Sequence, residues 1–245
     1  MAVVGFLWWA RPQPLLPEAE AALSSTRAAQ YEAGSDGRLT WTPTAAEPTI
    51  GLVLYTGGKV PPAAYAPSAR AIAEQGYLVA IVPAPFNLAI LDADAADRVI
   101  EDHPEITTWA VGGHSLGGAT ASLFIDGHPG VVDGLVLWAA YSSVDLTTDD
   151  LQVLIAYGSL DAGAATYTDA ANVEGKLGSD VTVDEIDGGN HEQMGWYTGQ
   201  PNDPPATISR QEQQDRVVAA TVALLQGLGT ASPYASATGR TSGTK

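Results

Sequence analysis

Apolar residues fall along the chain in two alternating rhythms. One is the short, dense run bounded by Gly, Pro or Asp, the pattern of a strand buried on both faces. Ile50–Tyr55 reads IGLVLY, Tyr77–Val82 YLVAIV, Thr107–Val111 TTWAV, Leu135–Ala139 LVLWA, Val153–Tyr157 VLIAY and Val181–Ile186 VTVDEI. Arg38–Thr42 is a shorter run with Leu39 and Trp41 on one side. The other rhythm is helical. It covers about Tyr65–Gln75, stopped by Gly76, and Leu88–Glu101, with Leu91, Ala95 and Val99 on one stripe. Small residues dominate a helix over Leu116–Ile125, and a weaker one spans Asp169–Leu177. The last helix, Arg210–Leu228, opens on Ser209 and Glu212 as a capping box and carries a stripe of Val217, Thr221, Leu224, Leu225 and Leu228. Strands alternating with helices predict an α/β fold: a mostly parallel central sheet flanked by helices. Sites in such folds lie beyond the carboxyl ends of the strands.

The pattern divides the chain into an N-terminal segment with linker (1–37), a single domain (38–229) and a disordered tail (230–245) of small polar residues. The apolar run Ala2–Ala10 is nine residues long, whereas a membrane-spanning helix needs about 20. Two readings of it stand. It packs on the domain, or it is the stump of a membrane anchor from a longer chain, with Trp8, Trp9 and Arg11 as interfacial residues. The chain has no cysteine, which excludes disulfides, thiolate metal sites and a cysteine nucleophile. A net charge of -17 argues against nucleic-acid partners, because such a surface repels phosphates. No H-E-x-x-H, Walker A or dinucleotide-binding motif occurs, so no metal or cofactor is expected.

The chemically specific signal is Gly113-His114-Ser115-Leu116-Gly117, a G-x-S-x-G element at the end of one predicted strand and the start of a predicted helix. That context is the one a nucleophile elbow requires. The Ser sits on a strained turn, and side chains two residues to either side would collide with the sheet or the helix. The N–H groups of the following helix point at the same place and favour negative charge.

A serine hydroxyl needs a general base. His103 stands at a helix end, His114 is too near Ser115 in the chain, and His128 lies in the surface turn GHPG. His191, in the glycine-rich loop after the last strand, remains. For the acid that orients it, Asp161 follows the strand Val153–Tyr157; Asp145, one strand earlier, and Asp187 are the competitors. The order Ser115, Asp161, His191 differs from the chymotrypsin and subtilisin orders. An oxyanion needs two backbone donors. Leu116 supplies one, and Gly58, with Lys59 as alternative, supplies the other from the loop after Ile50–Tyr55.

From about residue 48 to 228 the chain resembles the α/β-hydrolase superfamily. More narrowly it is similar to small bacterial lipase-like and dienelactone-hydrolase-like esterases. The blocks that carry this are LVLYTGGKVPPAAYAP, WAVGGHSLGGATAS, GLVLWAAYS, LIAYGSLDAG, GGNHEQMG and ATISRQEQQ. The resemblance implies the α/β-hydrolase fold and a serine nucleophile, Ser115, acting with Asp161 and His191. It also fits the anchor reading, since members often carry an N-terminal anchor. The chain departs from dienelactone hydrolase itself, which uses a cysteine.

Only residues 140–152 separate the strand after the elbow from the next one, which leaves no room for a large cap domain. A shallow site for short-chain or accessible polymeric esters is expected. Phe86, Tyr141, Trp196 and Tyr197 are candidate pocket walls, and the proline-rich loop 195–207 is expected to shape one side. The same triad would serve an amidase, peptidase or thioesterase. A non-catalytic binding protein on this fold is the reading from another class.

Overall fold

A computed structural model describes Gly5 and residues 10–230. Most of the expected apolar run at 2–10 and the expected tail from residue 231 lie outside the described residues. The elements in chain order are α1 (Pro17–Ala21), β1 (Ala29–Ala33), β2 (Leu39–Pro43), β3 (Ile50–Tyr55), α2 (Ala66–Ala73), β4 (Leu78–Val82), α3 (Ala95–Asp102), β5 (Thr108–His114), α4 (Leu116–Gly127), β6 (Gly134–Trp138), β7 (Gln152–Gly158), α5 (Ala164–Tyr167), α6 (Ala170–Lys176), β8 (Val181–Ile186) and α7 (Arg210–Thr230). Eight strands form one sheet in the order β1-β2-β4-β3-β5-β6-β7-β8. From β4 to β8 every neighbouring pair is parallel, while β2 is antiparallel to both β1 and β4. This is the expected mostly parallel sheet flanked by helices, and among the described residues no large cap domain interrupts it.

The near-continuous apolar runs of the middle strands follow from burial on both faces. All of β4 and β6 is buried, and β3 is buried except at Ile50. Helices α2 and α7 pack on each other and share a face of the sheet, α7 lying along β5 to β8; α4 packs on β3, β5 and β6. The stripe of α7 is the expected one, with Val217, Thr221, Leu224, Leu225 and Leu228 all buried. Ser209 Oγ accepts the Glu212 N–H at 3.1 Å, the serine half of the capping box.

Three stretches differ from expectation. Residues 10–37, expected as segment and linker, contribute α1 and β1; β1 pairs with β2 along its length, and Tyr31 lies against Trp41 with ring centroids 5.0 Å apart. The polar sequence AQYEA of β1 hid this edge strand, which buries only one side chain. The expected helix 88–101 begins only at Ala95. Before it the chain makes 3-10 turns at Pro85–Asn87 and Ala89–Asp92, and Leu91 of the expected stripe is exposed. Leu88 is extended, at φ −118° and ψ 93°, and Asp94, at ψ 12°, separates the second 3-10 turn from α3. The short helix α5 had no sequence signal.

One buried polar contact ties α7 to the sheet. Trp138 Nε1 donates to Thr221 Oγ1 at 3.1 Å, and that hydroxyl donates to Val217 O at 2.8 Å. Thr221→Val keeps the shape and leaves the indole N–H unpaired. Urea unfolding is expected to show a loss of about 1–3 kcal/mol with an unchanged m-value; an unaltered midpoint would mean that this contact does not contribute to docking of α7.

Candidate active site

Strand β5 runs into a sharp turn at Ser115, where φ is 54° and ψ is −120°. The turn places the backbones of β3, β5 and α4 almost in contact. A Cβ on Gly113 would lie 2.5 Å from the Tyr55 carbonyl oxygen, and one on Gly117 would lie 2.7 Å from Thr56 O. Both positions therefore require glycine, for the reason expected. The Ser115 N–H donates to Trp138 O at 3.0 Å, and the Ser115 carbonyl accepts from Gly118 N at 3.1 Å. The serine is half-buried. Among the described residues its hydroxyl enters no hydrogen bond, so it is free to rotate.

Ser115 is one of six non-glycine residues with positive φ among the described residues; the others are Lys59, Phe86, Asn87, Ala139 and Asn202. Every one lies in a segment that follows the carboxyl end of β3, β4, β5, β6 or β8. Such conformations persist where the surrounding structure holds them, and they cluster at functional sites.

Asp161 lies in the turn after β7, and His191 in the loop after β8. His191 Nδ1 lies 2.7 Å from Asp161 Oδ2; a carboxylate only accepts, so Nδ1 carries the proton. Both side chains are largely buried, at 12% and 3% exposure. Asp161 also accepts the Gly163 N–H at 2.7 Å and the Tyr167 hydroxyl at 3.2 Å to each oxygen. Burial, followed by the charge of Asp161, raises the Tyr167 phenol well above its ordinary value, which keeps it a donor. Asp145 is instead exposed and bonded to Thr147, and Asp187 accepts from Ser159.

The His191 loop is held from two sides. Asp203 accepts the N–H groups of His191 at 3.2 Å and Glu192 at 2.7 Å, one on each oxygen. From α7, Gln213 accepts the Asn190 N–H at 3.0 Å and donates to Asn190 O at 2.8 Å. Arg210 donates to Glu192 O and Gly195 O and pairs with the Glu192 carboxylate. Sequence reading missed Asp203, Tyr167 and Gln213. The block ATISRQEQQ was the one visible hint, because it places polar side chains on the buried start of α7.

Ser115, Asp161 and His191 line one open cavity of about 260 Å³, together with Ala162, Gly163, Tyr167 and residues 200–203. A larger depression of about 440 Å³ lies toward the amino ends of β7 and β8, where it meets none of these three residues. None of the expected wall residues lines this cavity. Phe86 and Tyr141 are exposed, the latter with Lys176 Nζ 5.8 Å from its ring centroid. Trp196 and Tyr197 are buried: the Trp196 N–H donates to Ala64 O, Leu16 N donates to Trp196 O, and Tyr197 bridges Leu15. The N-terminal stretch covers them, which a reading of the loop alone could not show. The loop 195–207 does supply residues 200–203 to the cavity, as expected.

Beyond β3, the loop residues on either side of Gly58 are fully engaged. The Gly57 N–H donates to the Tyr65 hydroxyl at 2.9 Å, and Lys59 N–H to Asn87 O at 2.7 Å. Gly57 O accepts from Val60 N at 3.0 Å, and Lys59 O from Gln13 N at 2.9 Å. Among the described residues the Gly58 N–H meets no acceptor. Leu116 opens α4, so its N–H has no intrahelical carbonyl.

A sequence model described as the alpha/beta hydrolase family matches residues 51–215, well over half of the chain. The chain belongs to the alpha/beta hydrolase family. A search of curated proteins finds no match. The matched span of this alpha/beta hydrolase runs from β3 into α7 and includes Ser115, Asp161 and His191. Among the described residues, no group of three His, Asp or Glu side chains is placed to hold a metal ion. Nor, among them, is any helix long and apolar enough to cross a membrane.

His114 is fully buried beneath the elbow, its ring centroid 4.5 Å from that of His191. Burial first, and the neighbouring His191 second, hold its pKa well below the ordinary 6.5. The unfolded chain thus binds this proton more readily than the folded one, so the contribution is complete above pH 6.5 and is lost as pH falls toward the folded value. Stability is expected to drop below pH 6.5 with up to one extra proton of slope, about 1.4 kcal/mol per pH unit. Unfolding of the wild type and His114→Asn at pH 5 to 8 tests this. The variant should show the shallower dependence, and parallel curves would contradict the assignment.

Proposed function

We propose that the protein is a serine hydrolase that cleaves carboxylic esters through an acyl-enzyme on Ser115. The observation that carries this reading is the Asp161–His191 hydrogen bond at a cavity shared with Ser115 at the start of α4. His191 Nε2 takes the Ser115 proton as Oγ attacks the ester carbonyl. Hydrogen bonds between nucleophile and base are often open in unliganded sites and tighten with substrate. The N–H groups of Leu116 and Gly58 receive the oxyanion; Lys59 is the poorer candidate, because its N–H is already given to Asn87 O. His191 then protonates the leaving alcohol and later activates the water that clears the acyl group. Asp161 keeps Nδ1 protonated and stabilises the imidazolium.

The small open cavity and the lack of a large cap favour short-chain or accessible esters. Its lining includes Gln200, Asn202 and Asp203 but neither Lys nor Arg, which favours uncharged acyl and alcohol groups over anionic ones.

A fluorophosphonate is expected to add once to the wild type and not to Ser115→Ala, as read by intact mass. Ser115→Ala should also lower hydrolysis of p-nitrophenyl acetate by at least about 10³-fold. Across p-nitrophenyl acetate to decanoate, kcat/KM should fall with acyl length. Absence of an adduct on folded wild type would refute the serine mechanism, and a preference for decanoate would refute the short-chain assignment.

A further inference from the structure

Beneath the Gly57–Lys59 loop three residues form a buried chain that the mechanism above does not use. The Tyr65 hydroxyl accepts the Gly57 N–H at 2.9 Å and lies 2.9 Å from His114 Nδ1. Both side chains are fully buried. A Cβ on Gly57 would lie 2.7 Å from His114 Nδ1 and 2.9 Å from the Tyr65 oxygen, so the pair forms a floor that only glycine fits. The hydroxyl has one proton. Among the described residues the hydroxyl meets no acceptor other than His114 Nδ1, so its proton goes there. Nδ1 is then an acceptor, and His114 is neutral with its proton on Nε2. The depressed pKa of His114 agrees with this state. Among the described residues the buried Nε2 has no hydrogen-bond partner, so the imidazole is not held there for the sake of that nitrogen.

We infer that His114 and Tyr65 are positioning residues that set the oxyanion donor of the Gly57–Gly58 loop, which makes the residue before the nucleophile part of the device that receives the oxyanion. The inference rests on the serine-hydrolase reading. Each link has a physical role. His114 orients the Tyr65 hydroxyl, Tyr65 fixes the Gly57 peptide, and the Lys59–Asn87 bond fixes the other side. Gly58 N–H is left between two anchored peptides, so a developing negative charge meets a donor that needs no reorganisation. Since His114 directly precedes Ser115, the donor and the nucleophile are referenced to the same turn.

The test compares the wild type with Tyr65→Phe, His114→Leu and His114→Asn. Asn offers an amide oxygen near the place of Nδ1 and can accept the Tyr65 proton; Leu cannot. Tyr65→Phe and His114→Leu are expected to lower kcat on p-nitrophenyl acetate by about tenfold to a hundredfold, less than or equal to the loss of a whole oxyanion donor, with KM within about twofold. A boronic acid, which forms a tetrahedral adduct on the serine, should weaken by the same factor as kcat/KM. His114→Asn should recover most of the loss. A cooperative thermal transition is the check that each variant is folded. If folded Tyr65→Phe and His114→Leu match the wild type in kcat and boronate affinity, or if His114→Asn is no better than His114→Leu, the inference is overturned. Stoichiometric fluorophosphonate labelling of the wild type separates the two ideas: its absence would refute the serine mechanism itself, whereas labelling with unchanged variants would refute only the positioning role.

Discussion

Where β3 ends, its backbone passes so close to the elbow that Gly113 and Gly117 can carry no side chain. Much of the site geometry depends on this contact. It brings the loop after β3 alongside the first turn of α4, so that the N–H groups of Leu116 and Gly58 belong to adjoining segments. Ser115, between these two glycines, has a positive φ of 54°, which costs on the order of 1–3 kcal/mol for such a residue. The sheet meets that cost. Ser115 N is bonded to Trp138 O in β6, and Ala139, itself at positive φ, is bonded to Ala156 O in β7.

The edge formed by the strand ends thus concentrates strain that the fully buried middle of the sheet does not show. Positive φ at Lys59, Phe86, Asn87, Ser115, Ala139 and Asn202 marks one rim of the molecule. Lys59 and Asn87 are joined directly by a backbone hydrogen bond, so two strained turns support each other. Local conformations that would be unfavourable singly are held here by non-local hydrogen bonds. The start of α4 adds a local positive potential to a chain whose net charge is -17.

The His191 loop is held in a different way. Its glycines allow close contacts, a Cβ on Gly189 falling 2.6 Å from Gln213 Oε1, but side chains from elsewhere hold it. Asp203 and the side chains of Arg210 and Gln213 take its N–H and carbonyl groups one by one. A hydrogen bond of this kind contributes about 1 kcal/mol net, but leaving a buried partner unpaired costs more. The first turns of α7 therefore both cover the sheet and fix the loop. The same helix is anchored further along by Thr221 against Trp138, which links docking of α7 to β6.

By itself the sequence determined the parallel sheet, the elbow at Ser115 and the loop that bears His191. Each is written in a local signal: a dense apolar run, a glycine spacing, or a histidine after the last strand. Strand β1 escaped because an edge strand needs little apolar surface, and the break before α3 escaped because the extended Leu88 and the turn at Asp94 leave the apolar stripe unchanged. Only the tertiary structure decided which aspartate meets His191, which N–H beyond β3 is left without an acceptor, and that Trp196 and Tyr197 lie in the core under residues 13–16. These depend on which distant segments pass each other, and on which side chains complete the hydrogen bonds of buried peptides. No local pattern of residues encodes that pairing.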